Sequence, residues 1–191
     1  MARSNLTEEE RQKIRDSLKA TRERRQNQSI KVIELKVNCH QTSKEIFTKM
    51  NNCFKQAKWI ENDMLAWSER CDENNIFKYE YLDHKVIQRK DKDGNFIAEN
   101  IDMPVYFHRA LVKQVKQDIM NLSKAKKKGN KVGRLKFKSE VNCIPVITGG
   151  VRIIDNSHIT IPGFSKLKVY GLDQLKKFEN YEIADGRFVR K

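Results

Sequence analysis

The sequence predicts an α+β fold in which a small β-barrel carries an inserted helical subdomain and is preceded by a separate helix. Three observations lead there. Between Thr42 and Leu122, apolar residues recur at three- and four-residue steps over two long stretches, the spacing that lines one face of a helix. From Cys143 onward the pattern changes to short β-branched runs punctuated by Gly149-Gly150, Asp155-Asn156 and Pro162-Gly163. Finally, one strand-like run, IKVIELKV (30–37), stands alone ahead of the helices and needs partners that only the later strands can supply. Short strands at this spacing fit a small barrel or a sandwich. The economical topology is a barrel shared by residues 30–38 and 134–191, with a helical subdomain at 39–133 between them and a basic helix within 1–29.

Taken in order, Thr7 and Glu10 form a capping box that opens a helix to about Arg25. Its apolar content is thin, Ile14 and Leu18 with Ala20 nearby, so it is either loosely docked or ordered by a partner, and its cations make it a phosphate-contacting arm or a plain solvated helix. After the run 30–37, Thr42 or Ser43 caps a long helix whose apolar positions run from Ile46 and Met50 through Ile60 and Met64 to Trp67, ending near Ser68. Trp59 and Trp67 read as core rather than as stacking platforms. Residues 72–84 are irregular. A β-hairpin follows near 85–100, with Asp93-Gly94 at its turn. Met103 and Pro104 open a second long helix that buries Phe107, Leu111, Val115, Ile119 and Leu122 and feeds into a basic run. The late strands fall at 143–148, 151–154, 158–161, 166–171 and 186–191.

That basic run, Ser123 to Ser139, holds eight Lys or Arg (124, 126, 127, 128, 131, 134, 136 and 138) and no acid. A like-charged run repels itself unless acidic neighbours offset it, it stays disordered, or phosphates match it. Leu135 and Phe137 alternate with Lys136 and Lys138, which predicts a strand with one buried and one cationic face. Phosphate matching therefore fits best, with a solvated basic loop as the alternative.

Composition agrees with that reading. In 191 residues, 39 Lys plus Arg stand against 25 Asp plus Glu, a formal charge of +14, as expected of a nucleic-acid binder. No apolar run approaches the roughly 20 residues of a membrane span, and the N-terminus lacks the apolar core of an export signal. A cytoplasmic protein that binds no membrane is expected. Cys39, Cys53, Cys71 and Cys143 show no zinc spacing and read as reduced thiols, so no metal or other cofactor is expected. No phosphate-binding loop, HExxH or His/Cys pairing is present. Asp91, Asp93 and Asp102 could in principle serve metal-assisted phosphodiester cleavage, which needs acidic ligands converging on ions, but they read as turn residues and no catalytic residue is assigned.

The order of elements, with CFKQAKWIEN (53–62), MPVYFHRALVKQVKQDIMNL (103–122), KKKGNKVGRLKFKS (126–139) and GVRIIDNSHITIPGFSKLKVYG (150–171), resembles the N-terminal half of transposon-encoded OrfB (TnpB) proteins, RNA-guided nucleases related to the type V CRISPR effectors. The resemblance covers about residues 30–191, and its most specific part is the KVGRLKFKS box with the rhythm that follows. It implies an oligonucleotide-binding-type barrel, the wedge domain, with an inserted recognition lobe. It implies as partners a structured guide RNA and a double-stranded DNA target. By position it assigns RNA binding to Lys126, Lys127, Lys128, Lys131, Arg134, Lys136 and Lys138, and DNA binding to Arg109 and Lys113. The family's RuvC-like nuclease, with its acidic triad and zinc ribbon, has no counterpart here. The expectation is thus a non-catalytic, nucleic-acid-binding portion of such a nuclease, truncated, decayed or completed by a RuvC-bearing second chain. The alternative is a stand-alone DNA-binding regulator or a nonfunctional remnant.

Overall fold

The computed structural model describes residues 7–69, 76–81, 84–147, 149–178 and 180–191. The chain divides into two units, Met1–Glu34 and Leu35–Lys191. In the first, helix α1 spans Glu8–Gln26 and begins with the expected capping box. Glu10 N–H donates to Thr7 Oγ1 at 3.3 Å while Thr7 N–H donates to Glu10 Oε2 at 2.9 Å, satisfying two of the donors that a helix start leaves open. Acids in its first turn and Arg24 and Arg25 in its last suit the helix dipole. None of its residues is buried. Residues 28–34 are not in a strand, and Ile30 and Val32 are 91% and 95% exposed.

The strand expected at 30–37 is therefore corrected to two residues, β1 (Lys36–Val37), paired antiparallel with β7 (Leu167–Tyr170). The reason lies in the partner. The register places Lys36 opposite Tyr170, so the ladder would next need Gly171, and there the backbone turns to φ +101° and enters the 3₁₀ helix Leu172–Lys177. Alternating sequence without a neighbouring strand has nothing to bond to.

In the second unit, α2 spans Lys44–Glu69 and α3 spans Val105–Lys127. Ser43 opens α2 by accepting from Ile46 N–H at 3.3 Å, and Pro104 stands at the N-cap of α3, where its missing N–H costs nothing. The seam is built from Met50, Phe54, Ala57, Ile60 and Met64 on one helix and Phe107, Leu111 and Val115 on the other, all buried. Fully burying each large side chain contributes about 1.5–3 kcal/mol. Ile119 and Leu122, expected on the buried face, are only partly covered.

The strands are short and antiparallel, as their turn-rich sequence dictates. A four-stranded open sheet runs in the order β1-β7-β6-β5, with β5 at Arg152–Asp155 and β6 at His158–Thr160. Two separate pairs join β2 (Val86–Lys90) to β3 (Phe96–Asn100), and β4 (Cys143–Val146) to β8 (Gly186–Val189). At the β2–β3 turn Asp91 Oδ1 accepts from the N–H groups of Asp93 and Asn95 at 2.9 and 2.8 Å, and Gly94 takes φ +85°. One hydrophobic core unites α2, α3 and the late strands. Phe188 of β8 stacks on Phe54 at 5.0 Å and lies 6.1 Å from Phe107, so the last strand packs onto both helices. The β6–β7 loop closes over the start of α3. Gly163 takes φ +83° with its Cα against the Pro104 ring, and its carbonyl accepts from Lys49 Nζ at 2.6 Å.

Candidate nucleic-acid interface

Helix α3 buries one side and leaves the other for charge. At about 100° per residue, Arg109, Lys113, Lys116, Lys124 and Lys127 fall within roughly a quarter of the helix circumference. They form a cationic ridge about 27 Å long at 1.5 Å per residue. The resemblance divides Arg109 and Lys113 from Lys127 between two ligands; the helix puts them on one line. At the upper end of the ridge lies a shallow groove lined by Phe77, Tyr81, Arg109, Lys113, Gln117 and Met120. The Arg109 guanidinium sits over the Tyr81 ring, 5.4 Å from its centroid, and Lys116 pairs with Glu80 at 3.1 Å. Lys113 is exposed with no ion-pair partner among the described residues. Phe77 and Tyr81 were missed from sequence because IFKYEY (76–81) carries neither helical nor strand periodicity.

The lower end of the ridge runs into the basic box. Gly129 at φ +82° stops the helix, its N–H donating to the Lys126 carbonyl at 3.0 Å, while Asn130 N–H donates to Ala125 at 3.2 Å. Lys124, Lys126 and Lys127 occupy the last turn, where cations offset the negative end of the dipole. Lys126, Lys127, Lys128, Lys131, Arg134 and Lys136 are all exposed and make no ion pair among the described residues.

The strand expected over Leu135–Lys138 is absent, and this is a second correction. Leu135 and Phe137 are 38% and 56% exposed instead of buried. The cause is again the lack of a partner strand, because what lies alongside is a helix. Asn62 of α2 grips the backbone of Lys138, donating from Nδ2 to its carbonyl at 2.9 Å and accepting its N–H at Oδ1 at 2.8 Å. A single side-chain amide thus reproduces one rung of a ladder and no more. Lys138 itself differs from its neighbours. Its Nζ pairs with Glu61, whose residue is 7% exposed, so this lysine compensates a buried carboxylate as well as adding to the basic run.

A polar group centred on the buried Tyr79 and Asp63 was not revealed by sequence spacing. Tyr79 Oη donates to Asp63 Oδ2 at 2.8 Å, His84 Nδ1 lies 3.3 Å from the same oxygen, and the Tyr79 and His84 rings stack at 3.6 Å. Trp67 stands edge-on to both rings, while Trp59 is half-buried beneath the Arg89 guanidinium, 5.0 Å from its centroid. His108, on the buried side of α3, is 3% exposed and its Nε2 has no hydrogen-bond partner among the described residues. Burial, with a smaller contribution from His84, pushes its imidazole down to about 4.

Compared with protein-family models, curated proteins and solved structures, the chain matches none. Its functional reading therefore rests on its own residues. Asp91 is held below the usual carboxylate range by the N–H of Asn95 and other turn donors, and Asp102 accepts from Gln56 Nε2. Both carboxylates are occupied within the fold. At the β5–β6 turn, Ser157 Oγ and Asp155 Oδ1 lie 2.9 and 2.7 Å from the same His158 nitrogen, Nδ1. A proton relay needs the two ring nitrogens on different partners, so this is a turn network. Lys166, 2.8 Å away, with the Ser157 N–H and His158 keeps the Asp155 carboxyl well below its ordinary range. Among the described residues no group of three or more His, Cys, Asp or Glu could hold a metal ion, and no helix is long and apolar enough to cross a membrane. Cys53 is buried, which pushes its thiol up to about 11; the reduced-thiol reading of Cys71 lies outside the described residues.

Proposed function

We propose that this chain is a nucleic-acid-binding portion of a transposon-encoded, RNA-guided DNA nuclease of the OrfB type. It holds a structured guide RNA on the basic box and target-adjacent duplex DNA on the upper part of α3. In this reading β1 with β4 to β8 belongs to the wedge-type barrel, residues 39–133 are the recognition lobe, and a RuvC-bearing second chain supplies cleavage. No catalytic residue is assigned here. The observation that carries the reading is the acid-free series from Lys124 to Lys136, exposed along its length and without ion pairs among the described residues. Left without phosphates, those charges repel one another at a cost to folding.

The groove at Tyr81 and Arg109 supports the second half of the proposal, since a flat ring beneath a guanidinium suits a nucleotide edge or phosphate. The test is binding of the purified chain to structured RNA and to duplex DNA over a range of salt. Log affinity should fall linearly with log salt, by roughly 0.7–0.9 per phosphate contact. RNA that copurifies should be one structured species. Absence of binding at low salt refutes the proposal, and duplex DNA bound well above any RNA favours a stand-alone DNA-binding regulator.

A further inference from the structure

The segment between Gly129 and Lys138 is an unusual strap. It is fixed at one end by the cap of α3 and at the other by Asn62, through the contacts at 3.0 Å and 2.8–2.9 Å described above. Between those anchors, residues 131–137 form no helix or strand. No backbone-to-backbone hydrogen bond is made by these seven positions among the described residues. Leu135 is 38% exposed and Phe137 56% exposed, and no ring or cation contact of the Phe137 ring is found among the described residues. Exposing a phenylalanine 56% between Lys136 and Lys138 forfeits its burial energy, and a fold that could simply tuck it away has not done so.

We infer that the strap is a binding site for single-stranded nucleic acid, with an unpaired base stacked on Phe137 and the adjoining phosphates met by Lys131, Arg134 and Lys136. An aromatic face set among cations is the arrangement that tracks an unpaired strand, because every base offers a π-face and every linkage a phosphate. A duplex keeps its bases stacked inside and offers only its backbone to such a strap. Charge also argues against a protein occupant of ordinary composition, since the stretch carries no acid from Ser123 to Ser139. The two anchors hold the strap in place beforehand, so little ordering is left for the moment of binding.

The inference rests on the nucleic-acid reading above, and the experiment separates the two. The full chain is titrated, by fluorescence anisotropy, with a short unstructured RNA and with the duplex that RNA forms with its complement. Phe137→Ala should weaken the single strand by roughly 5- to 150-fold, the range one stacked base supplies. It should leave duplex affinity, the salt slope and the melting temperature unchanged. Phe137→Trp should retain affinity, and its added emission should be quenched by the single strand but not by the duplex. If Phe137→Ala affects both ligands equally or neither, while Lys131→Ala with Arg134→Ala and Lys136→Ala weakens both, stacking is overturned and the nucleic-acid reading stands. A lowered melting temperature for Phe137→Ala also overturns it, by showing the ring to be packed. Failure of the unaltered chain to bind either ligand removes both.

Discussion

Lys136 and Lys138 are two residues apart in one basic box, and the structure gives them different work. Lys138 Nζ neutralises Glu61, whose side chain is only 9% exposed, while the lysine side chain is 51% exposed. Removing one partner of a fully buried pair costs about 3–5 kcal/mol, and removing one from an exposed pair costs at most about 1 kcal/mol. A half-exposed cation on a buried carboxylate lies between, at about 2 kcal/mol. For a chain of this size each kcal/mol moves the melting temperature by about 2–4 °C, so Lys138→Ala should melt about 4–8 °C lower. Lys136→Ala, exposed and unpaired among the described residues, should stay within about 0.5 kcal/mol of the original. Thermal melting by circular dichroism, with urea titration as a check, reads both. Adding Glu61→Gln to Lys138→Ala should restore most of the loss, because the uncompensated charge is then gone. The backbone grip of Asn62 survives in every variant. If Lys138→Ala and Lys136→Ala melt together, the Glu61 contact contributes nothing to stability and the distinction fails.

Two further outcomes are expected. Gly163→Ala should destabilise the chain by about 2–5 kcal/mol, since it forces a side chain into a left-handed backbone and overpacks the Pro104 ring; a urea midpoint unchanged from the original would show that loop to be adaptable. His108 is held neutral, with its imidazole lowered to about 4 from an ordinary value of 6.5. The unfolded chain therefore binds the extra proton first as pH falls. The contribution of the neutral ring is complete above about 6.5 and is lost toward pH 4, an effect of about 3 kcal/mol. His108→Leu, which also removes an Nε2 without a partner among the described residues, should flatten unfolding free energy across that window, and an unchanged slope would place the pH dependence elsewhere.

Both long helices were legible because their apolar residues repeat at a spacing only a helix uses, from Met50 to Met64 and from Phe107 to Val115. The late strands appeared within a residue or two of their expected places because Gly171, Pro162-Gly163 and Asp155-Asn156 mark their ends. Two strands failed, at 30–35 and at 135–138, and for one reason. Alternation states what a segment would do beside a partner, and it contains no information about whether a partner is there. In both places there is none among the described residues. The cationic residues of the site were visible as composition, whereas its aromatic members Phe77 and Tyr81 and the solvent-facing Phe137 depended on tertiary placement. Lys138 looked identical to its neighbours because its distinguishing partner, Glu61, is far away in the sequence.

The closing strand carries a consequence for how the chain is made. Phe188 stacks against both Phe54 and Phe107, and β8 pairs with β4 across the intervening residues 147–185. During synthesis both helices emerge long before the ring that closes over them. Until that ring arrives, the nascent chain presents an apolar opening on the two helices together with the cations of α3 and the basic run, so on the ribosome the stretch of time between Phe107 and Phe188 is when it is most open to capture by ribosomal RNA or by chaperones.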